Sequence, residues 1–303
     1  MTENCKNVFA AIAGRANTGK STLLNRLVGD KVAIVSDKPQ TTRTLIHGIL
    51  TKADTQYVFI DTPGLHRARN RLSEHMVKQA RSGAAGADVI LMTADCTKKI
   101  SQADKSLTEG FSGGGDVILL LNKVDLIKDK TKLLQLIEEY AKLHDFAAII
   151  PISAKTGENT DKILPAIEKY ATAAENHYFP DDITTDQAEK VWLAEIIREK
   201  LLRSMYEEIP HGIAVEIESL SDSKTNTGKP ILDISAVIIC EKATHKGMII
   251  GKQGANLKKI GTEARLEMED YFISKVNMKI WVKVKEDWRN KEGFIAELGL
   301  AAE

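Results

Sequence analysis

Residues 14–21 read Gly-Arg-Ala-Asn-Thr-Gly-Lys-Ser, the spacing G-x-x-x-x-G-K-[ST]. That spacing suits one task, holding the phosphates of a nucleotide. Gly14 and Gly19 let backbone N–H groups wrap phosphate oxygens, and the start of a following helix adds positive potential. Arg15, Ala16, Asn17 and Thr18 form the wrap. Lys20 reaches the β- and γ-phosphates, the Ser21 hydroxyl ligates Mg2+, and Thr22 continues the helix start. The bland alternative is a glycine turn with a solvated lysine.

Three later stretches bear on the same chemistry. In DTPG (61–64), Asp61 holds Mg2+ through water and the Gly64 N–H meets the γ-phosphate, with Thr62 and Pro63 between them. In NKVD (122–125), the Asp125 carboxylate accepts from both N1–H and N2–H2 of guanine and repels adenine. Asn122 and Lys123 brace that loop and the base. In SAK (153–155), the Ala154 N–H meets guanine O6 between Ser153 and Lys155. Each alone is an ordinary turn. Together, in this order, they resemble the nucleotide boxes of GTPases, with GTP or GDP and Mg2+ as ligands. PQTTR (39–43) supplies the remaining box, with Thr42 the preferred γ-phosphate-sensing Mg2+ ligand and Thr41 its rival. The metal set is then Ser21, Thr42 and Asp61, and the catalytic set Lys20, Thr42 and Gly64. PQTTR reads as switch I and DTPGLHRARNR as switch II.

No side-chain base is evident. A glutamine often follows DxxG to orient water, but Leu65 stands there. His66 and His47 are the nearest titratable groups in sequence, so turnover is expected to be slow. In a subset of similar GTPases, an asparagine at the place of Asn17 helps bind K+; a turn-stabilising role is the alternative.

A second glycine loop, GKQG, occupies 251–254 within MIIGKQGANLKKIG. Glycines there admit the backbone of a single-stranded nucleic acid. Between Glu241 and Glu292, twelve Lys or Arg face eight Asp or Glu. A chain of zero formal net charge thus has a local basic face. Ile250, Gly251, Lys252, Gln253, Gly254, Lys258, Lys283, Trp288 and Arg289 are the candidate RNA contacts. A solvated helix surface is the rival reading for Lys258 and its neighbour.

These residues need elements to carry them. Apolar runs at 8–14, 55–61, 87–95, 116–122 and 147–153 alternate with helical patterns, the last of these at 160–174. Such alternation predicts a mostly parallel six-stranded sheet with helices on both faces, TLIHGILTK adding an antiparallel edge. Residues 176–185, holding a proline and paired acids, read as a linker. Beyond it the order is helix (188–208), two strands (212–220 and 231–240), GKQG, a long helix (255–275) and a strand (278–286), which predicts a second domain of α+β type. The divisions are 1–175, 176–185 and 186–303. Composition, 43% apolar and 28% charged, suits a globular protein of two domains. Cys5, Cys96 and Cys240 show no paired spacing, which predicts a reducing compartment. The N-terminus does not read as a secretory signal, and no run reaches the roughly 20 apolar residues of a membrane span. A cytoplasmic monomer is expected.

The α-β-β-α-α-β order with GKQG is similar to type II KH domains, and the whole chain resembles the Era GTPases of bacteria. GKSTLLNRLVG, KPQTTRT, DTPGLH, NKVDL, PISAKTGEN, YFPDD, EIPHGIAVEIE, GMIIGKQGANLKKIG and WVKVKEDWR carry the likeness. The resemblance implies a P-loop GTPase domain joined to an RNA-binding KH domain. It also implies a GTP-controlled role in small ribosomal subunit assembly, at the 3′ end of the small-subunit rRNA. Peripheral contact with the inner membrane is implied as well. The alternative is an RNA-binding GTPase of cell-cycle or membrane-associated regulation. The chain departs from the family at Ala16, Thr18, Thr44, Leu45 and Gln253, where Pro, Val, Asn, Arg and Gly are usual.

Overall fold

The structure, a computed structural model, describes residues 5–64, 70–111, 115–205, 212–224 and 228–302. In the first domain, β1 (Cys5–Gly14) runs into α1 (Lys20–Val28), and β2 (Ile46–Lys52) and β3 (Thr55–Asp61) form a hairpin. There follow α2 (Arg71–Ala85), β4 (Val89–Asp95), α3 (Gln102–Gly110), β5 (Asp116–Asn122), α4 (Lys130–Ala141), β6 (Ala148–Ile152) and α5 (Ile163–Glu168). The strand order is β2-β3-β1-β4-β5-β6, and every pair except β2–β3 is parallel. The central strands are apolar on both faces because both faces are covered. Ile12, Leu91 and Leu120 pack on one side with Leu23, Leu24 and Ile163. Met92, Leu119 and Leu121 pack on the other with Phe111, Leu136 and Tyr140.

Two details differ from the sequence expectation. The last helix stops at Glu168, and Thr172–Ala174 forms a seventh strand, β7, antiparallel to Cys5–Asn7. Pairing with the open start of β1 satisfies backbone groups that a longer helix would leave there unmet. Residues 176–185, read as a linker, lie along the sheet edge. Gln56 brackets Phe179 through bonds of 2.8 and 2.9 Å, and the Ile49 N–H donates to Thr184 O at 2.8 Å. The connector thereby covers the edge strand β2.

The second domain places α6 (Glu189–Ser204) before β8 (Ile213–Lys224) and β9 (Pro230–Cys240). Then come α7 (Ala243–Ile250), α8 (Ala255–Phe272), β10 (Lys275–Val284) and α9 (Glu292–Glu297). The sheet order is β10-β9-β8, with β9–β10 parallel and β8–β9 antiparallel. Helices α6 and α8 cover one face, through Leu193, Ile196, Ile197, Ile260 and Met268. The C-terminal segment covers part of the other, with Trp288, Phe294 and Ile295 over Ala214, Val237 and Ile239. The sequence extends α6 to 208; residues 206–208 lie outside the described residues.

The domains share buried side chains. Ile34, in the segment between α1 and β2, joins the core of the second domain. Leu72 and Met76 of α2 pack with Trp288. Lys31 reaches Glu199 of α6 at 2.6 Å and also contacts Glu267 of α8.

Candidate functional site

The phosphate loop joins the carboxyl end of β1 to α1, so the helix starts at Lys20. Two glycines are forced by packing. A Cβ on Gly14 would meet Thr93 Oγ1 at 2.3 Å, and one on Gly19 (φ +97°) would meet Asn122 Nδ2 at 2.3 Å. The loop therefore lies flat against the ends of β4 and β5. Asn122 Nδ2 donates to Thr18 O at 2.8 Å, and its Oδ1 accepts from the Ala154 N–H at 2.9 Å. One side chain thus ties the phosphate loop to the base-side loop. Lys20 Nζ donates to Gly14 O (3.1 Å) and Arg15 O (3.0 Å). Gly64 packs on this cradle, since a Cβ there would lie 3.2 Å from the Ala16 backbone and 3.3 Å from Lys20 Nζ.

The proposed metal ligands come from three elements. Ser21 Oγ donates to Asp61 Oδ2 at 2.7 Å and lies 2.9 Å from Thr42 Oγ1, which is 3.3 Å from the same carboxylate oxygen. Asp61 Oδ1 is buried without a hydrogen-bond partner among the described residues. A convergent set of hard oxygens, one of them anionic and half-satisfied, fits Mg2+. Burial lowers the pKa of Lys20 and raises that of Asp61, while each charge pulls the other back toward its ionised form. Thr41, the rival ligand, turns away and donates to Lys38 O at 2.6 Å.

At the base end, Asp125 Oδ1 accepts from Ser153 Oγ at 2.7 Å. Lys123 Nζ donates to Asn17 O (2.8 Å) and to Asp95 Oδ2 (2.7 Å). Arg26 holds the SAK loop from below by donating to Ala154 O and Lys155 O. A cleft of about 330 Å3 lies over the phosphate loop and reaches Lys123 at the base end; Lys20, Ser21, Val35, Thr42 and Gly64 line it among others.

Arg15 faces outward to Ser101 and Asp104. Asn17 is in the left-handed region (φ +65°), and its Nδ2 donates to Asp37 O at 2.7 Å. His47 lies on β2 and meets Asp186, just past the connector, at 2.7 Å, so it does not serve the phosphate loop. Leu65 and His66 lie outside the described residues.

Asp95, Thr93 and the 34–38 stretch were not apparent from sequence. Burial works to raise the Asp95 carboxyl, but hydrogen bonds from Lys123 and Thr97 prevail and hold it below its ordinary value. Its signal was available: it is the last residue of a buried strand, where ligands of open sheets gather.

In the second domain, Gly251 (φ +71°), Gln253 (φ +52°) and Gly254 (φ +78°) form a tight left-handed turn between α7 and α8. A Cβ on Gly251 would lie 2.8 Å from Asn256 Cβ. Asn256, missed in the sequence, fastens the turn by donating to Met248 O and Ile249 O. Lys252 and Gln253 are exposed and Ile250 is half-buried beside them. A groove of about 380 Å3 runs from Gly254 between α8 and β10, lined by Leu257, Lys258, Gly261, Arg265 and Ile280.

One candidate RNA contact requires correction. Trp288 is wholly buried, and its Nε1 donates to Gly212 O at 3.0 Å, so it cannot stack on a base. Arg289 makes a bidentate pair with Glu241 at 2.9 and 2.6 Å. Lys283 is exposed and reaches Glu218 at 2.8 Å, away from the groove lining.

The segment read as switch I touches the nucleotide site and the second domain. Thr42 faces the metal ligands while its neighbours face the second domain. Arg198 donates to Thr41 O, and Arg43 Nη1 donates to Ile213 O at 2.6 Å with its guanidinium 5.8 Å from the Trp288 ring centre. The Val35 N–H donates to Glu199 at 2.9 Å.

The family profile described as "50S ribosome-binding GTPase" matches residues 9–123, and a KH domain profile matches residues 208–289. GTPase Era of Clostridioides difficile is 46% identical over 97% of this chain and 98% of its own. GTPase Era of Clostridium perfringens is 44% identical over the same shares. Among solved structures, an Era bound to MgGDPNP and nucleotides 1506–1542 of 16S ribosomal RNA superposes with a TM-score of 0.93. It is 37% identical, over 98% of this chain and 99% of that one. A variant of Aquifex aeolicus Era bound to GDP and AlF4− gives 0.92 at 36% identity, with the same coverage.

Proposed function

The chain belongs to the Era family of GTPases, and on that premise we propose that GTP at the first domain controls the grip of its KH domain on the 3′ end of the small-subunit rRNA. It is a GTP-hydrolysing, RNA-binding protein. The finer role we assign is assistance in maturing the small ribosomal subunit, in the cytoplasm and as a monomer, with any membrane contact peripheral.

One observation carries the control. Thr42 contacts Ser21 and Asp61 while Thr41 and Arg43, on either side, bond to Arg198 and Ile213 of the KH domain. A γ-phosphate that draws Thr42 inward thus bears on the KH domain through the adjacent peptide units. Lys20, released from Gly14 O and Arg15 O, orients the β- and γ-phosphates, and the Gly64 N–H faces the γ-phosphate. Asp125 selects guanine. Ser21, Thr42 and Asp61 would hold Mg2+, which would supply charge neutralisation at the phosphates. With Leu65 in the usual glutamine place, rate depends on charge stabilisation more than on a protein base. Asn17, whose Nδ2 donates to Asp37 O, would help bind K+ through its Oδ1; equal turnover in K+ and Na+ buffers would remove that role.

The RNA segment in the related complex supports the rRNA assignment. The test is crosslinking and sequencing of bound RNA with a GTP analogue and with GDP, using Lys20→Ala as a control. Enrichment at the 3′ end of the small-subunit rRNA with the analogue is expected. RNA spread evenly over all transcripts would overturn the proposal.

A further inference from the structure

The groove beside GKQG holds about four nucleotides, and a longer strand must leave it over some other surface. The outward face of β10 offers one. Side chains alternate along a strand. Val276, Met278, Ile280 and Val282 face the helices and join the KH core. Lys275, Lys279, Trp281 and Lys283 therefore face the other way, and all four are exposed. Trp281 is 48% exposed. Its pair on β9 is the buried Val237, at the margin of the C-terminal cover, and Lys279 pairs with Ser235.

We propose that this face is a second RNA contact, with Trp281 stacking on a base and Lys279 and Lys283 holding the phosphates on either side. Along a strand, residues two apart are about 7 Å from each other, so the aromatic ring sits between two cations on one line. An aromatic between basic side chains on an open sheet is how sequence-tolerant single-strand sites are built. Of the acidic groups nearby, Asp233 accepts from Ser223 and Asn277, and Glu218 accepts from Lys283; Glu216, which pairs with Val237 and acts on Lys283, is an acid the two lysines must outweigh there. RNA would take Lys283 from Glu218. β10 is an edge strand that also borders the GKQG groove, so one strand can pass from the groove around the edge to this face. The inference rests on the RNA reading above and adds a subsite to it.

The test uses the full chain with Mg2+ and a non-hydrolysable GTP analogue. Nested single strands of about 4, 8 and 12 nucleotides from the rRNA 3′ end are titrated by fluorescence anisotropy. Wild-type affinity should rise with length. Trp281→Ala should lose about 5- to 100-fold on the longest strand and nothing on the shortest, and Trp281→Phe should keep most of the gain. Trp192 and Trp288 are buried, so the longest strand should quench tryptophan emission through Trp281 and not in Trp281→Phe. Wild-type binding of every length by Trp281→Ala would overturn the proposal and give the face to a protein partner. If wild type fails to bind even the shortest strand, the RNA reading itself is overturned.

Discussion

A Cβ on Gly14 would strike Thr93 at 2.3 Å, whereas one on Gly254 would meet nothing within 4 Å. The two glycine loops of this chain, both read from sequence as bringing backbone to phosphate, stand under different constraints. Around Gly14–Ser21 the lysine is buried, the amides are backed by Asn122, and three elements contribute to one oxygen cluster. Around Gly251–Gly254 the charges are exposed and a single side chain, Asn256, ties the turn. A buried cradle makes each donor worth more, because water does not compete. An exposed turn contributes access and net charge, and its affinity is spread over several lysines and is sensitive to salt. The first loop suits one small ligand held in one geometry; the second suits a polymer that can slide into place.

Five changes test that contrast. The largest effect should come from Trp288→Ala, which empties a buried site at the domain junction. Unfolding should show a loss of about 3–5 kcal/mol; unchanged stability with lost RNA binding would restore Trp288 as a contact. Lys20→Ala should lower GTP turnover by about 100- to 1,000-fold, read as phosphate release, while RNA affinity in GDP stays as in wild type. Asp125→Asn should cut GTP affinity by at least about 100-fold in nucleotide titrations and recover with a xanthine nucleotide, whose edge suits the reversed donor. Gly251→Val, at φ +71° against Asn256, should cost about 1–3 kcal/mol of local strain and reduce RNA binding while leaving turnover intact. Gln253→Gly should be smallest and opposite in sign. A non-glycine residue at φ +52° carries about 1 kcal/mol of strain, so melting should rise slightly and RNA affinity should hold.

The nucleotide site was largely legible because its ligands are backbone groups and invariant-chemistry side chains at the ends of strands that the apolar runs already marked. The α/β sheet and the KH element order were legible for the same reason. What was not legible depended on distant partners. Nothing local to Thr172–Ala174 says that Cys5–Asn7 needs a neighbour. Trp288 is a candidate RNA contact by sequence, yet α2 of the other domain covers it. Gln253 sits where glycine is usual in the family, and the backbone angle gives the physical reason that glycine would suit it better.

Ile34 belongs to the first domain by sequence and to the second domain's core by packing. During synthesis the first domain leaves the ribosome before the partners of that stretch exist: α6, which bonds to the backbone at Lys31 and Val35, and the core that Ile34 joins. The nucleotide cleft includes Ile34 and Val35 in its wall. The stretch that walls the nucleotide cleft thus finds its packing partners in a nascent chain only after the second domain has been made.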